Sequence, residues 1–489
     1  MMHLDTIKER LSAFLPMWLM IMLVAIWSVV IQDGHINNDG LLYLKQAYLI
    51  AEGSWKEGLA LYPWPFFSIL IAIFHKITGL HLQVVAHAVD LVLFGIAAWF
   101  YLKTVKLIYQ HKYIVFYAGL LLLSFIPIMD DYVGMVLRDH GLWAGCMMGT
   151  FFYLKYINHN FSIGYNLLWQ FSFLLAGAFR PEGLVLLVLT PLFNIFFIQY
   201  NDREKYSLKS IFNQFIFLIL GCLCFVVLKN LTADSSVSIQ SAGRLNEFVP
   251  RIISFFKQLS SPLLIFTDNE IFNLLLKKYP VFITITLLGS LFLKKIISGL
   301  GLLNIILIFS HLQKGSKINR LHLQSIYFFI IISLSLVFVL FFNNFVLTDR
   351  YFILSHIWIL IVLAPVFHSF FEVDLNTGNK LRNFLVCFLV VICLANVFID
   401  SKSKSIEIEA GEFLKGLQLN NEVTLINSER IAYFAGFSIQ QIMNLSKNIP
   451  DNQDWLVVYG KNKLSLPLGY DIYHRIDGKD QAVFFLKKT

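Results

Sequence analysis

The fold is decided by residues 165–200, which read YNLLWQFSFLLAGAF RPEG LVLLVLTPLFNIFFIQY. Two apolar runs, 165–179 and 183–200, are separated only by Arg180-Pro181-Glu182. A helix that crosses a bilayer needs about 20 predominantly apolar residues, and proline is favoured at the first position of a helix. The stretch therefore predicts two membrane-crossing helices joined by a short polar turn.

The composition of the whole chain supports a membrane protein. Of its 489 residues, 57% are hydrophobic and only 14% are charged, whereas soluble domains carry about 25% charged residues. This excludes an ordinary soluble enzyme and a disordered protein. The net charge of +8 is typical of a membrane protein whose excess of basic residues lies in cytoplasmic loops. It does not indicate nucleic-acid binding. All cysteines fall inside apolar runs, so neither a disulfide framework nor a CxxC metal site is available; they are Cys146, Cys222, Cys224, Cys387 and Cys393.

Eleven apolar runs are long enough to predict crossings. They are 14–32, 84–103, 113–129, 141–157, 165–179, 183–200, 211–229, 279–297, 325–347, 351–371 and 384–399. Basic residues cluster near 103–112, 203–209 and 311–320, and these loops all stay in the cytoplasm only if the apolar stretch 62–79 does not cross. We therefore expect 62–79 to be re-entrant or interfacial, and we treat the short run 299–312 in the same way. The N-terminus is then cytoplasmic and the C-terminus lies outside.

Residues 400–489 differ from the rest of the chain. A helical period at 406–417 precedes strand-like segments at 422–426 and 455–459, with a helical segment at 429–437 between them and a possible third strand at 482–486. Such alternation predicts a small α/β domain. The predicted fold class is thus an all-α polytopic membrane domain at 1–399, with interfacial juxtamembrane helices, followed by a C-terminal α/β extracytoplasmic domain at 400–489.

Unusual polar residues gather on the outer side of this topology. Three of them are arginines at membrane boundaries, against the positive-inside bias, and ionisable residues at membrane depth are candidates for function. The pattern predicts one outward-facing polar site that holds an anion. Its members are Asp39, Asp130, Asp131, Arg138, Asp139, His140, Arg180, Glu182, Asp349 and Arg350.

The first candidate is Asp39, which follows Asn37-Asn38 and precedes an apolar helical pattern. Asn and Asp are preferred helix N-caps, so Asp39 is either a cap or a catalytic carboxylate. Both roles are compatible if Asn38 caps the helix and Asp39 points into the cavity. One turn further along, Tyr43 shares a face with Asp39.

The second candidate group is Asp130-Asp131 with Arg138-Asp139-His140. One interpretation is a solvated loop and a helix start that favours acidic residues. The other is a set of carboxylates that orients a sugar or binds a divalent cation. Asp139 is the preferred member, because it lies at the mouth of the bilayer.

Two further outer segments contain arginine. In Arg180-Pro181-Glu182-Gly183 and in Asp349-Arg350-Tyr351, the arginine either snorkels to the surface or binds a phosphate bidentately, with Glu182 holding Arg180. Four histidines, His75, His87, His311 and His356, are interpreted as satisfied or interfacial, and no metal ligands are assigned. Motifs typical of soluble enzymes, such as HExxH, the P-loop and GxSxG, are absent.

In their order, these motifs resemble the GT-C superfamily of integral-membrane glycosyltransferases, such as the bacterial aminoarabinose transferases and protein O-mannosyltransferases (family 39-like proteins). The segments that carry the resemblance are Asn38-Asp39-Gly40-Leu41-Leu42-Tyr43-Leu44, Tyr62-Pro63-Trp64-Pro65, Arg138-Asp139-His140-Gly141, Arg180-Pro181-Glu182-Gly183 and Arg350-Tyr351.

The resemblance implies that a sugar is transferred, with inversion, from a polyprenyl-phosphate carrier. The reaction would take place at the outer face of the bacterial inner membrane, on a lipid, glycan or protein acceptor. The essential first-loop acid of the family matches Asp39. The second-loop acid matches Asp139 best, with Asp130 and Asp131 as competitors. Neither loop has a clean DxD, which argues against a required metal ion, and a divalent cation (Mg²⁺ or Mn²⁺) is kept only as an alternative.

Inversion is a single displacement, which needs a base for the acceptor and a group that stabilises the departing phosphate. We assign the base to Asp39 and phosphate stabilisation to Arg350 and Arg180. Asp139 would hold Arg138, a sugar hydroxyl or a cation. The residues expected to bind substrate are Asn38, Tyr43, Tyr62, Asp130, Asp131, Arg138, His140, Arg180, Glu182, Arg350 and Tyr351.

Three alternative functions are compatible with parts of the pattern. A transporter or flippase for a lipid-linked sugar accounts for the many crossings, but not for carboxylates that avoid the bilayer centre. An O-antigen ligase or polymerase would use a diphosphate-linked donor and a larger outer loop than 230–278. A receptor with a sensing tail would not place its polar cluster beside the bilayer.

Overall fold

The computed structural model describes residues 2–31, 36–62, 64–159, 161–198, 212–217, 219, 280–314, 320–344, 348–372, 380–399, 406–417, 423–426, 428–443, 455–461, 470–477 and 481–488. Most of the crossing predicted at 211–229 and all of the outer loop 230–278 lie outside these residues.

The first part of the described chain is helical. Its α-helices are α1 Met2–Ile31, α2 Asn38–Ala51, α3 Trp55–Leu61, α4 Phe66–Thr78, α5 Leu82–Ile108, α6 Ile114–Leu123, α7 Asp139–Asn158, α8 Ile163–Phe179 and α9 Glu182–Phe193. A π-helix at Pro127–Tyr132 follows α6, and another at Asn194–Ile198 continues α9.

Helices also dominate the described residues up to 399, and strands follow in the tail. The remaining elements are α10 Pro280–Lys314, α11 Arg320–Asn344, a 3-10 helix Asp349–Phe352, α12 Ile353–Glu372, α13 Lys380–Ile399, α14 Ile406–Gly416, β1 Val423–Ile426, α15 Glu429–Phe434, α16 Ile439–Met443, β2 Trp455–Lys461, β3 Tyr470–Asp477 and β4 Gln481–Lys488.

Among the described residues, five helical stretches are long and apolar enough to cross a membrane: Phe14–Ile31, Leu82–Ile108, Thr286–Phe309, Leu321–Phe341 and Asp349–Phe370. Thr286–Phe309 contains a backbone kink at Gly301 and is not counted as a straight crossing. The chain is therefore a multi-pass membrane protein, while the full count of eleven crossings stays a prediction. The helix within 62–79 is α4, whose 13 residues extend for about 20 Å. That is shorter than the hydrocarbon core, but α6 and α9, which lie in predicted crossings, are shorter still, so the expectation that 62–79 does not cross stays a prediction.

The described chain divides into two compact units. The helical unit contains Met1–Val30 and Ala88–Phe398, and the loop–tail unit contains Ile31–His87 and Ile399–Thr489. The tail thus shares a unit with the first outer loop, which the sequence analysis had placed in the membrane domain. The boundary at 399–400 stays a prediction.

In the loop–tail unit, the tail forms the small α/β structure that its pattern predicts. Its sheet has the order β1-β2-β4-β3, with β1 parallel to β2 and the other pairs antiparallel. Apolar residues of β2, β3 and β4 form a core that includes Leu456, Phe484 and Leu486. The sequence analysis missed β3, because Tyr470–Asp477 is mostly polar and five consecutive residues in it are exposed.

In the helical unit, α7 and α8 pack very closely along three glycines of α7. A Cβ atom added at Gly145 would lie 2.7 Å from the Cβ atom of Ala176, and one at Gly141 would lie 2.3 Å from the ring of Phe179. Gly149 faces Phe173 in the same way. Small residues at four-residue spacing allow helix backbones to approach each other in membranes. The approach brings the first residue of α7 beside the residue that follows α8.

The structure corrects the crossing predicted at 279–297. Leu288 packs against Phe341 near the end of α11, and Lys295 forms an ion pair with Asp349 at a distance of 2.8 Å. Gly299 lies beside His356 in the first part of α12. In a straight crossing, Leu288 and Gly299 would lie about 16 Å apart along the membrane normal. Both instead contact the region where α11 ends and α12 begins. The first part of α10 therefore runs across that region.

A backbone kink at Gly301 changes the direction of α10. Gly301 has φ 74° and ψ 160°, a conformation that only glycine adopts without strain. The stretch 299–312, which we expected not to cross, contains this kink and continues as helix to Lys314. Hydropathy alone does not reveal the kink, since the residues on both sides of Gly301 are apolar.

We expect a cysteine introduced at position 295 to be labelled from the same side of the membrane as one at position 349, because Lys295 and Asp349 form an ion pair. A cysteine at His111, which contacts His368 at the other end of α12, should be labelled from the opposite side. The measurement is reaction with a membrane-impermeant maleimide in oriented vesicles, in a background without native cysteines. Labelling of position 295 together with position 111 would restore the crossing at 279–297.

Candidate functional site

A cavity opens at the end of the helical unit where α7 begins and α8 ends. It contains about 380 Å³ of empty space, part of which is open to solvent. Five predicted site residues line it together with Leu142, Trp143, Leu186, Ser333, Leu336, Val337 and Leu354; the five are Asp139, Arg180, Glu182, Arg350 and Tyr351.

Arg180 is the centre of the polar wall of this cavity. Its guanidinium group forms an ion pair with Asp139 and a second one with Glu182, in which Nη2 and Oε1 are 2.6 Å apart. Nε of Arg180 also donates to Glu182 Oε2 at 3.3 Å. The predicted contact between Arg180 and Glu182 is thus present. Asp139, expected to hold Arg138, a sugar hydroxyl or a cation, pairs with Arg180, and Arg138 donates to the backbone oxygen of Phe179 at 3.3 Å.

Local backbone geometry explains why Arg180 and Glu182 meet. Arg180 has extended backbone at the end of α8, and Pro181 begins the turn into α9. Gly183 donates its backbone N–H to the Arg180 oxygen at 3.1 Å, so the turn is tight. A Cβ atom at Gly183 would lie 2.3 Å from the backbone nitrogen of Gly177, and only glycine fits there.

The electrostatics of this cluster keep Asp139 and Arg180 charged. Burial raises the pKa of the Asp139 carboxyl, but the guanidinium of Arg180 and two further arginines lower it, and the resulting pKa lies below its usual value. Burial lowers the pKa of Arg180, but the carboxylates of Asp139 and Glu182 outweigh that effect, and the pKa lies well above its usual value. Two carboxylates therefore face one guanidinium group, with a net charge of −1.

The second arginine of the cavity comes from the 3-10 helix before α12. The guanidinium carbon of Arg350 lies 5.3 Å from the ring centre of Tyr351, and that of Arg180 lies 5.0 Å from the same ring. Contacts of this length are cation–π interactions. Tyr351 thus lies within reach of both guanidinium groups.

Three residues near Arg350 were not among those expected to bind substrate: Lys295, Asp349 and Tyr132. Asp349 forms its ion pair with Lys295, which the expected topology had placed at the opposite end of a crossing. Burial raises the pKa of Tyr132 to about 12, supported by the charges of Asp349 and Asp131 and opposed by Arg350. The helix Pro127–Tyr132 packs against the 3-10 helix Asp349–Phe352, but neither Asp131 nor Tyr132 lines the cavity. Asp130 also does not line it.

His140 lies behind the cavity wall. Its side chain is fully buried, and its Nδ1 atom lies 2.9 Å from Oδ1 of Asp90. The sequence analysis missed Asp90, because it occurs inside the apolar run 84–103. It also interpreted the histidines as satisfied or interfacial, yet both ring nitrogens of His356 are buried without a hydrogen-bond partner among the residues that the structure describes.

The first-loop candidates belong to the loop–tail unit. The cap of α2 is Asn37, whose side-chain oxygen accepts the backbone N–H of Gly40 at 2.6 Å. The expectation that Asn38 or Asp39 provides this cap is therefore wrong. Asn38 is exposed and Asp39 is half-buried.

The two tyrosines of the first loop pack against each other. Tyr43 is 3% exposed, and its ring meets those of Tyr62 and Phe67 edge-on, at centroid distances of 5.8 and 5.4 Å. Gln46 stabilises the same region, because its Nε2 atom donates hydrogen bonds to the backbone oxygens of Gly58 and Tyr62 at 2.8 Å each. Tyr43 is therefore packed between Tyr62 and Phe67, and its role in binding substrate stays a prediction.

The cavity does not offer a ready site for a divalent cation. Its two carboxylates, Asp139 and Glu182, are both bound to Arg180. Among the residues described, no group of three or more His, Cys, Asp or Glu side chains is arranged to hold a metal ion. The donor set of the cavity therefore does not fit Mg²⁺ or Mn²⁺, and no step below uses a metal.

Comparison with known proteins adds a structural similarity. No family model and no curated protein matches the sequence. The crystal structure of ArnT from Cupriavidus metallidurans bound to undecaprenyl phosphate is similar over 97% of this chain and 98% of that chain, with a TM-score of 0.44 and 11% sequence identity. Because the TM-score and identity are low, the function proposed below rests on the cavity itself.

We expect Arg180→Gln to destabilise the protein by about 3–5 kcal/mol, because it leaves two buried carboxylates without their cation. Adding Asp139→Asn should then recover part of the loss, although Asp139→Asn alone destabilises the wild type. The measurement is the thermal unfolding midpoint in detergent. Arg475→Gln is the control, since the exposed pair of Arg475 with Asp477 contributes at most about 1 kcal/mol. Additive effects of the two cavity substitutions would contradict the pairing.

Proposed function

We propose that this protein is a membrane glycosyltransferase that moves a monosaccharide, with inversion, from a polyprenyl-phosphate carrier to a lipid, glycan or protein acceptor. The reaction would occur at the outer face of the bacterial inner membrane. One observation carries the proposal: Arg180 and Arg350 line a single cavity at one end of the membrane helices. The apolar residues of its wall suit the lipid of such a donor, and the guanidinium groups suit its phosphate.

The charge balance assigns different roles to the two arginines. Arg180 is bound by two carboxylates, so turning it towards a phosphate would break two buried ion pairs. We therefore assign stabilisation of the departing phosphate chiefly to Arg350. Arg180, with Asp139 and Glu182, forms the rigid wall against which the sugar is oriented.

The phosphate leaves with more negative charge than it carries as an ester, and a fixed guanidinium stabilises that charge in the transition state. Tyr351, beside both arginines, would limit the positions that Arg350 adopts. The acceptor hydroxyl or amine needs a base. For that role we keep Asp39, which the sequence resemblance alone supports.

The experiment that tests this function uses purified protein in lipid with undecaprenyl-phosphate-linked sugars and cell-envelope acceptors. Mass spectrometry follows the release of free undecaprenyl phosphate and the gain in acceptor mass. Release together with a heavier acceptor would support a transferase. No release with any monophosphate donor would overturn the proposal, and diphosphate-linked donors and a flipping assay would then test the ligase and transporter alternatives.

For the same assay, we expect Arg350→Gln to lower kcat about 10²–10³-fold, as does loss of one oxyanion donor elsewhere. Arg350→Lys should recover only part of the rate, since lysine does not bind phosphate bidentately. Arg475→Gln, which changes an exposed arginine of the tail, is the matched control. A wild-type rate in Arg350→Gln would remove Arg350 from the mechanism.

Asp39→Asn should abolish transfer without unfolding the protein, because Asn37 rather than Asp39 caps α2. The matched control is Asn37→Ala, which removes the cap at a cost of about 1 kcal/mol but keeps the carboxylate. Transfer rates and thermal midpoints of both variants separate the two roles. If Asp39→Asn retains activity while Asn37→Ala loses it, the first loop needs only its cap.

A further inference from the structure

Asp90 binds the turn that presents Asp139 to the cavity. Its carboxylate is 1% exposed. Oδ2 accepts the backbone N–H of Leu137 at 3.0 Å, and Oδ1 lies 2.9 Å from Nδ1 of His140. Asp90 therefore contacts the residues on both sides of Arg138 and Asp139. It belongs to α5, and the turn it binds leads into α7.

The proton on His140 can be assigned from its neighbours. Nδ1 lies close to two acceptors, the Asp90 carboxylate and the Leu137 backbone oxygen, the latter at 3.1 Å. Because an oxygen of either kind only accepts here, Nδ1 must be the protonated nitrogen. The ring is also held edge-on by Trp143 at 4.9 Å and by Phe94 at 6.2 Å. His140 is thus fixed in one orientation.

The N-cap position of α7 provides no side-chain acceptor for the helix. Arg138 stands at its N-cap position and makes no side-chain cap, although the first N–H groups of a helix need acceptors. Asp90 supplies acceptors to the turn just before the helix. A buried carboxylate is costly unless it is hydrogen-bonded, so two bonds from one short turn fix both partners.

We propose that Asp90, acting through Leu137 and His140, is a positioning residue that holds the Asp139 carboxylate against Arg180. Asp90 does not line the cavity and would not touch the substrate. Its effect reaches the reaction because Asp139 fixes Arg180, and a displacement of about 1 Å at such a site lowers a rate about 10²-fold. The catalytic part of this inference rests on the proposed function.

In the transfer assay, we expect Asp90→Asn and His140→Phe each to lower kcat about 10²-fold, with little change in the KM for the donor. The loss should fall on kcat because the disturbed contacts act in the transition state. The double variant should be no slower than either single one, since both remove the same bond. His140→Asn keeps an N–H donor near the position of Nδ1 and should recover most of the rate.

Thr104→Val is the matched control. Thr104 is also a buried polar residue of α5 but lies fourteen residues from Asp90, about 21 Å along the helix. A merely structural role would lower the yield and thermal midpoint of the Asp90 variants and leave kcat per folded molecule unchanged. That result, or kcat losses that multiply in the double variant, would overturn the proposal.

A second measurement does not depend on activity. If Asp90 holds Asp139 against Arg180, the thermal destabilisation caused by Asp139→Asn should be smaller in the Asp90→Asn background than in the wild type. In the Thr104→Val background it should be unchanged. Additivity in both backgrounds would overturn the positioning role. A wild-type protein that transfers no sugar would overturn the proposed function instead, and the stability cycle would still decide the role of Asp90.

Discussion

The close approach of α7 and α8 is the constraint on which the cavity depends. Gly141 and Gly145 let Phe179 and Ala176 enter positions that any side chain on α7 would occupy. Because the two helices are antiparallel neighbours, this contact sets the first residue of α7 beside the residue after α8. Asp139 and Arg180 can form a buried ion pair only at that separation. A larger residue at Gly141 or Gly145 would therefore change the geometry of the cavity without lining it.

The ion-pair cluster itself contributes more to geometry than to stability. Burying charges costs several kcal/mol per ion, and a buried pair often stabilises no more than apolar residues of the same volume. Burying Arg180 with two carboxylates thus adds little to stability, but it fixes one orientation of the guanidinium. A fixed set of charges needs no reorganisation during a reaction. The wall that Arg180 forms is consistent with a site that orients a substrate.

The sequence predicted the cavity better than the path of the chain. Asp139, Arg180, Glu182 and Arg350 were identified because charged residues at the ends of apolar runs are unusual, and the structure brings these four together. The spacing of Gly141, Gly145 and Gly149 was a readable signal for the helix contact that joins them, and it was overlooked. Charged residues at the ends of apolar runs thus indicate where a site lies, but they do not show which helices pack together to form it.

What the sequence concealed has two physical causes. Lys295 was placed at the wrong end because hydropathy records the apolar character of 279–297 and not the direction of the helix, which Gly301 redirects. Asp90 was missed because one carboxylate in an apolar run scarcely changes its mean hydropathy, although its bonds to Leu137 and His140 decide its role. Both errors concern partners that are distant along the chain.

Residues that are distant along the chain also contact each other in the loop–tail unit, and the sequence analysis did not predict these contacts. Lys45 in the first outer loop is buried, with a side chain 8% exposed, and pairs with Glu429 of the tail. The hydroxyl group of Tyr48 donates to Gln440 of the tail at 3.4 Å. A domain boundary based on composition separates these partners, because the apolar membrane domain and the polar tail differ in mean hydropathy. Their contacts instead make α2, the helix that carries Asp39, part of the same unit as the tail. The position of that carboxylate therefore depends on residues nearly 400 positions away, and a tail substitution at Glu429 would reach Asp39 through α2 without touching a substrate.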